Sequence, residues 1–269
     1  MADRITIHEM NMKSLNNRKK IIRVCLPSDY DTSNESYPVL YMHDGQNLND
    51  PSSYSDYSWD IQRTLDHLQN QKIISGIIVV GIDADSKYRI LEYSQELSQK
   101  AKKYLQKSMA QEEIKSEGKE YAKFIVQDLK PFIDKNYRTL PQREFTGMAG
   151  SSCGGNISLY MGTQYDTIFS VIGAFSPAYW IVKQDLFSLI KQKNYFQPMM
   201  IYFDMGTKEG AFGCFTYLKD TKQMKQLFQD KKLNSINFKM VIEKKATHTE
   251  LFWQSRFPEF VKWGFKKVK

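Results

Sequence analysis

The sequence predicts an α/β fold in which a mostly parallel central sheet is covered by helices on both faces. Short apolar runs rich in β-branched residues, such as residues 73–82, alternate along the chain with segments whose apolar residues recur at helical spacing. In residues 59–69, for example, Ile61, Leu65 and Leu68 fall on one helical face. A chain of 269 residues with 41% hydrophobic residues can bury a sizeable core, so we predict one domain over residues 1–269.

The elements are predicted in order from the N-terminus. Residues 5–10 and 20–26 read as strands around a polar turn, which predicts an N-terminal antiparallel hairpin. Strands and helices then alternate, and Pro131 interrupts the helix predicted over residues 120–136. The further predicted strands cover 38–42, 73–82, the apolar run that starts at Phe145, 168–175, 199–203 and 236–242, and the further predicted helices cover 59–69, the segment after Gly154, 185–192, 215–230 and 250–265.

One polar segment, residues 84–118, interrupts this alternation. It is rich in Lys, Glu and Gln, and we predict one helix within it, over residues 96–113. The segment follows a strand end, at the edge of the sheet where the loop after residue 42 is also expected. It could be a lid or a wall of a substrate site, and a solvated surface helix is an equally good interpretation.

Composition and charge narrow the class of protein. The net charge is +8, but the lysines are scattered and no zinc-finger, RNP-type or helix-turn-helix pattern accompanies them, so we expect no nucleic-acid partner; an anionic ligand stays open. No run approaches the length of a membrane span, and the N-terminus leads directly into a strand pattern without a signal peptide. Cys25, Cys153 and Cys214 are widely spaced and odd in number, which favours reduced thiols in a cytoplasmic protein over disulfides or a metal site.

The segment Gly150-Ser151-Ser152-Cys153-Gly154 fits the pattern G-x-S-x-G between an apolar strand and a helix. Such a sharp strand-to-helix turn exposes its central serine and requires very small residues two positions before and after it. The helix that follows brings its amides and its dipole to Ser152, where they favour negative charge. A glycine-rich turn without chemistry is the plain alternative, and the rest of the chain must decide between the two.

Two further strand ends carry the residues that a serine nucleophile needs. A serine hydroxyl requires an imidazole as general base, and the imidazole requires a carboxylate that fixes its tautomer. Glu209 follows the strand over 199–203, and His248 follows the strand over 236–242. We predict Glu209 and not Asp204 as the acid, because Asp204 can still belong to the strand whereas Glu209 lies beyond Gly206 in a loop.

The same chemistry needs donors for a developing oxyanion. The backbone amide of Cys153, directly after the nucleophile, is the first predicted donor. The second is predicted in the loop His43-Asp44-Gly45-Gln46, with the amide of Gln46 preferred to that of Gly45. Cys153 could itself be the nucleophile, but its position directs its side chain away from the tip of the turn.

Several motifs together resemble one family, the putative esterase family of α/β-hydrolases, which includes esterase D-like enzymes, feruloyl esterases and enterobactin esterases. The resemblance covers about residues 20–265, with Cys153 where the family often has methionine, and Lys244, Lys245 and Thr247 where it often has glycine. The motifs are Tyr41-Met42-His43-Asp44-Gly45-Gln46-Asn47-Leu48, Glu92-Tyr93, Gly150-Ser151-Ser152-Cys153-Gly154-Gly155, Phe175-Ser176-Pro177-Ala178-Tyr179-Trp180, Asp204-Met205-Gly206-Thr207-Lys208-Glu209 and Thr247-His248.

The resemblance implies the α/β-hydrolase fold and a serine carboxylic ester hydrolase that acts on a small-molecule ester without metal or organic cofactor. We also predict substrate contacts at His43, Asp44, Arg89 and Trp180. Three alternatives stay open at this point: a siderophore trilactone hydrolase, whose anionic substrate would suit Arg89 and Lys87; an acyltransferase that uses an alcohol acceptor; and a binding protein without activity on the same fold.

Overall fold

The computed structural model of the chain describes residues 4–51, 56–209, 214–230 and 236–266, and all its named strands belong to one sheet. Residues 214–216 are described only by their backbone. Along the sheet the strands follow the order one, two, four, three, five, six, seven, eight. They are β1 (Ile5–Met12), β2 (Arg18–Cys25), β3 (Val39–His43), β4 (Ile78–Ile82), β5 (Thr146–Ser151), β6 (Val171–Phe175), β7 (Met199–Gly206) and β8 (Ile236–Glu243).

The strand directions confirm the predicted hairpin and the mostly parallel sheet. β1 and β2 are antiparallel, with Ile5 opposite Cys25 and Met12 opposite Arg18, and β2 is antiparallel to β4. From β4 through β3 and β5 to β8, every neighbouring pair is parallel. The carboxyl ends of these six strands therefore meet at one edge of the sheet, which is where α/β proteins place their sites.

Helices cover both faces of the sheet, and the alternation of side chains along each strand explains how. Leu40 and Met42 of β3 pack with the first and last helices, while Tyr41 packs on the opposite face with most of the others. Within the described residues no helix is long and apolar enough to span a bilayer. The helices are α1 (Ile61–Asn70), α2 (Arg89–Glu92), α3 (Gln99–Met109), α4 (Gly118–Phe124), α5 (Lys130–Asn136), α6 (Cys153–Gln164), α7 (Lys183–Gln192), α8 (Cys214–Asp230) and α9 (Glu250–Gly264).

The interruption predicted at Pro131 takes the form of a π-helical turn over Ile125–Leu129, between α4 and α5. The Lys130 N–H donates to the Ile125 carbonyl, five residues back. Because proline has no N–H and its ring clashes with the carbonyl four residues earlier, the wider turn lets the helix continue past it.

The polar segment 84–118 contains two short helices, α2 and α3, where the sequence predicts one over 96–113. It is fixed to the sheet by charge: the wholly buried Glu92 pairs with Lys20 and, at 2.7 Å, with Arg18, and both cations belong to β2. Ala101 and Leu105 of α3 are also buried. The segment is thus packed against the rest of the protein, and its role as a lid or wall remains a prediction.

Candidate active site

Ser152 lies at the turn between β5 and α6, with φ 58° and ψ −118°. This conformation is strained for any residue other than glycine, and the neighbouring backbone holds it in place. The Ser152 N–H donates to the Phe175 carbonyl at 2.9 Å, and the Ser152 carbonyl accepts from the Ala178 N–H at 3.1 Å. A Cβ atom on Gly150 would lie 2.9 Å from the His43 ring and 3.0 Å from the Gly154 backbone, so the turn requires glycine there.

The predicted oxyanion donors lie at the starts of two helical turns. Cys153 is the first residue of α6, so its N–H has no partner within the helix and lies at the positive end of the dipole. Gly45 and Gln46 belong to a 3₁₀ turn whose first hydrogen bond runs from the Asn47 N–H to the Asp44 carbonyl. The N–H groups of Gly45 and Gln46 come before this bond and take no part in the hydrogen bonding of the turn. The Gln46 side chain accepts from the Ala84 N–H at 2.9 Å.

The loops after β7 and β8 bring Glu209 and His248 together. The Thr207 N–H donates to the Glu243 carbonyl and the Lys208 N–H to the Ala246 carbonyl, each at 3.0 Å. A Cβ atom on Gly206 would clash with the Ala246 carbonyl oxygen, so only glycine allows this approach.

The result of this approach is a direct contact between an imidazole and a buried carboxylate. His248 Nδ1 lies 2.9 Å from Oε2 of Glu209, whose side chain is wholly buried, whereas the His248 side chain is 27% exposed. The His248 ring stands edge-on to Trp253, with centroids 5.0 Å apart, and lies 5.9 Å from the Tyr217 ring.

The loop before His248 forms without the glycines that are frequent in the resembling family. Lys245 takes a left-handed conformation with φ 67°, and its N–H donates to Thr207 Oγ1 at 2.8 Å. The hydrogen bond to the neighbouring loop thus holds a conformation that glycine would adopt more readily.

Asp204 has a different environment from Glu209. It lies within β7, and its Oδ1 accepts the Ser176 N–H at 3.0 Å. Its Oδ2 lies 3.0 Å from Arg256 Nε, as an ion pair whose orientation is not that of a hydrogen bond. Burial raises the pKa of Asp204 to about 7, although Arg256 opposes the shift. Asp204 therefore faces Arg256 and β6, and Glu209 faces His248.

Sequence reasoning missed Arg256 and Ser176. Arg256 is 4% exposed and carries the charge that faces Asp204, Glu209 and Glu243. A signal was present in the sequence, because Arg256 shares the buried face of α9 with the aromatic residues Trp253 and Phe257, where a charged side chain requires a buried partner.

Ser152 and His248 line one open cleft of about 200 Å³. Of the other predicted residues, Asp44 and Arg89 also line it, and the Arg89 guanidinium binds the Asp44 carboxylate through two contacts of 2.6 and 2.8 Å. No hydrogen bond joins Ser152 to His248 in the described part of the chain, as is common before substrate binds. The remaining lining residues are Asn47, Glu250 and Trp253, and Asn47 Nδ2 lies 3.2 Å from Glu250 Oε1.

Two residues predicted to contact substrate, His43 and Trp180, are not among those that line the cleft. His43 is 2% exposed and sits beneath the Ser152 turn, where its Nδ1 lies 2.9 Å from the Tyr121 hydroxyl. Burial lowers the pKa of His43 to about 3, so its ring is neutral. Trp180 is half-buried, and its Nε1 donates to the Tyr217 hydroxyl at 2.9 Å. The Trp180 ring is thus connected to the site through Tyr217.

The side chains of two cysteines are described, Cys25 and Cys153, and both are buried. Burial raises the pKa of the Cys153 thiol, which disfavours the thiolate form that a nucleophile needs. The Cys214 side chain lies outside the described residues.

Comparisons with known proteins agree with this fold. An uncharacterised protein of Bacillus subtilis (strain 168), YbbA, is 24% identical over 250 residues, which cover 90% of this chain and 91% of YbbA. The crystal structure of an IroE-like serine hydrolase from Shewanella oneidensis superposes with a TM-score of 0.76 at 17% identity, over 97% of this chain and 80% of that one. The enterobactin esterase FES from Shigella flexneri gives a TM-score of 0.71 at 15% identity, over 98% of this chain and 59% of FES.

The sequence also matches the profile of a family described as putative esterase, over residues 13–263. That match spans nearly the whole chain and includes Ser152, Glu209 and His248. The protein is therefore a member of the putative esterase family of α/β-hydrolases, and its enzyme class is that of the ester hydrolases.

Proposed function

We propose that the protein hydrolyses a small-molecule carboxylic ester through a Ser152–His248–Glu209 triad and an acyl-enzyme. The observation that carries the proposal is the contact between Glu209 Oε2 and His248 Nδ1 at 2.9 Å, in a cleft that His248 shares with Ser152. A carboxylate at Nδ1 holds the proton there and leaves Nε2 free to accept one, which is the tautomer that a general base requires.

The reaction follows from these positions. The Ser152 hydroxyl attacks the ester carbonyl while His248 takes its proton, and the Cys153 amide with the Gln46 or Gly45 amide stabilises the oxyanion. His248 then gives the proton to the departing alcohol. Water, deprotonated by His248, attacks the acyl-enzyme, and the acid leaves as Ser152 regains its proton. Glu209 keeps its charge throughout and stabilises the imidazolium.

The charges of the cleft favour a neutral ester over an anionic one. Arg89, the cation that lines the cleft, is paired with Asp44, and Glu250 adds a carboxylate. We therefore place the neutral ester before the siderophore trilactone, although the fold is shared with the enterobactin esterase. A screen of short acyl esters, acetylated sugars, feruloyl esters and a catecholate trilactone, with and without an alcohol acceptor, separates the two substrates and also tests acyl transfer.

The assignment of the nucleophile is tested by Ser152→Ala. We expect hydrolysis of a short p-nitrophenyl ester to fall by on the order of 10⁶ in kcat, because the triad acts as a unit. A fluorophosphonate probe should label the wild type at Ser152 and leave Cys153 and Cys214 unmodified. A variant that keeps more than a tenth of the activity would show that the nucleophile lies elsewhere. A wild type that neither reacts with the probe nor turns over any ester of the screen would support a binding protein.

A further inference from the structure

The Ser176 hydroxyl is wholly buried among groups from four residues, which belong to β7, the loop after β7 and α9. Around its Oγ lie Glu209 Oε1 at 2.7 Å, Trp253 Nε1 at 2.9 Å, Arg256 Nη2 at 3.1 Å and Asp204 Oδ1 at 3.4 Å. We propose that Ser176 is a positioning residue that orients the Glu209 carboxylate toward His248, with Arg256 and Trp253 fixing the direction of its hydroxyl. The proposal rests on the triad proposed above.

The direction of the Ser176 hydroxyl follows from counting donors. A hydroxyl has one hydrogen to donate and two lone pairs to accept with, whereas an indole N–H and a guanidinium N–H can only donate. Trp253 and Arg256 therefore occupy both lone pairs of Oγ. The remaining hydrogen must go to a carboxylate, and Glu209 Oε1 is 0.7 Å nearer than Asp204 Oδ1.

This hydrogen bond distinguishes the two oxygens of Glu209. Oε1 accepts the Gly206 N–H at 2.5 Å and the Ser176 hydroxyl at 2.7 Å, and it lies 3.6 Å from Arg256 Nη2. Oε2 faces His248 Nδ1. With Oε1 held by these donors, the carboxylate cannot rotate without breaking them.

Ser176 needs support of its own, because it has a left-handed backbone with φ 44°. Its N–H lies 3.0 Å from Asp204 Oδ1 and 3.2 Å from the Asp204 carbonyl. Asp204 thus accepts a hydrogen bond from the backbone N–H of Ser176, and Glu209 accepts one from its hydroxyl. Trp253 and Arg256 are three residues apart on α9, and Trp253 also touches the His248 ring, so one helix contacts both ends of the acid–base pair.

The charged and titratable groups around Glu209 and His248 determine how activity is expected to respond to pH. They are Glu209 itself, Asp204 from β7, Glu243 from β8, Arg256 and Glu250 from α9, Arg89 and Asp44 on the cleft, and Tyr217 from α8. In the described part of the chain, Arg256 is the cation nearest to Glu209, at 3.6 Å, apart from a protonated His248. Its removal withdraws positive potential, so the pH at which His248 becomes protonated must rise.

The test uses pairs of variants. Ser176→Ala and Ser176→Gly both lack the hydroxyl, but only glycine relieves the backbone strain, so agreement between them isolates the hydroxyl. We expect both to lower kcat by about ten- to a hundredfold, the value of a hydrogen bond to a charged group, with KM changed less than about twofold. Arg256→Met should move the acidic limb of kcat/KM to higher pH, and Arg256→Lys, which keeps the charge, should restore it.

A readout that needs no turnover separates this inference from the proposed function. The chain has only four histidines, so the His248 imidazole can be followed by NMR through a pH titration of the whole chain. Its midpoint should rise in Arg256→Met and return in Arg256→Lys, with unchanged circular dichroism. An unmoved midpoint, or a Ser176→Gly variant with full activity, would overturn the positioning role even if Ser152 is the nucleophile.

Discussion

Two histidines end or follow parallel strands at the same edge of the sheet, and the protein treats them in opposite ways. His43 ends β3, is buried, and packs against Tyr93 and Tyr121, and burial lowers its pKa to about 3. His248 follows β8, is partly exposed to the cleft, and has a carboxylate at its Nδ1. The first ring cannot take a proton at neutral pH, and the second has a partner that would stabilise the proton.

The difference shows that a strand-end position does not decide what a histidine can do. The group at Nδ1 and the access to Nε2 decide it. At His43 a neutral hydroxyl occupies Nδ1, and Nε2 is buried without a partner among the described residues. Gly150 and Gly154 of the Ser152 turn pack against the His43 side chain, so His43 supports the turn from beneath.

Separate substitutions of the two histidines give the largest expected difference in kcat. His248→Ala should lower kcat for a short p-nitrophenyl ester by on the order of 10⁶, as expected when the base of a triad is lost. His43→Asn should keep kcat within about tenfold and lower the melting temperature, since it alters packing beneath the turn and leaves the acid–base pair in place. Steady-state kinetics and a thermal melt of both variants check this. An inactive, stably folded His43→Asn would place that ring in the chemistry.

Glu209 and Asp204, the two carboxylates near the end of β7, allow a second comparison of the same kind. Glu209→Gln should lower kcat by about 10⁴, because the serine–histidine pair survives but the imidazolium loses its counter-charge. Asp204→Asn should act mainly on stability, since Asp204 faces Arg256 and the Ser176 amide. Both substitutions preserve shape and replace a carboxyl group with an amide, so each is the control for the other. If Asp204→Asn caused the larger loss of kcat at normal stability, Asp204 would be the acid.

The buried His43 also predicts how stability depends on pH. Its folded pKa is about 3 and its unfolded value is 6.5, so the unfolded chain binds a proton that the folded protein excludes. The stability that this neutral ring provides is fully present above pH 6.5 and is lost as the pH falls toward 3, by at most about 1.4 kcal/mol per pH unit.

Unfolding by urea between pH 7 and pH 4 measures this slope. His43→Asn can keep a partner for the Tyr121 hydroxyl but does not titrate, so the stability difference between wild type and variant should shrink as the pH falls. His67→Asn removes an exposed imidazole of α1 and should keep the wild-type slope. A His43→Asn variant as acid-sensitive as the wild type would show that His43 is not held neutral.

The order of elements could be predicted because each strand and helix carries its own pattern. Within the described residues, the apolar runs and helical spacings predicted all eight strands and placed the hairpin correctly. Pairwise contacts could not be predicted in the same way. Nothing in the spacing of Ser176 and Arg256 indicates that they meet at Glu209, since that contact depends on how α9 crosses the sheet. The burial of His43 likewise depends on Tyr93 and Tyr121, which belong to distant segments.

The smallest predicted effect concerns the segment 84–118 and the choice of substrate. From α3 the exposed Tyr104 ring reaches Trp180, with centroids 6.0 Å apart, and Trp180 donates to Tyr217, whose ring contacts His248. A substrate group that extends from the cleft along this row would touch Tyr104 and leave the reacting atoms unchanged. Tyr104→Ala should therefore alter KM by severalfold for long or aromatic acyl esters and leave the rate of fluorophosphonate labelling at Ser152 unchanged.

The matched control is Tyr195→Ala, which removes a similarly exposed ring, 60% against 57%, from the segment between α7 and β7. It should change neither KM nor acyl preference. The deciding measurement is the ratio of kcat/KM for a long and a short ester. If Tyr104 lines the path of the acyl group, this ratio changes in Tyr104→Ala alone, because only the long ester reaches the ring. If Tyr104 merely stabilises α3, both esters lose activity together, the melting temperature falls, and the segment is a structural support and not a substrate wall.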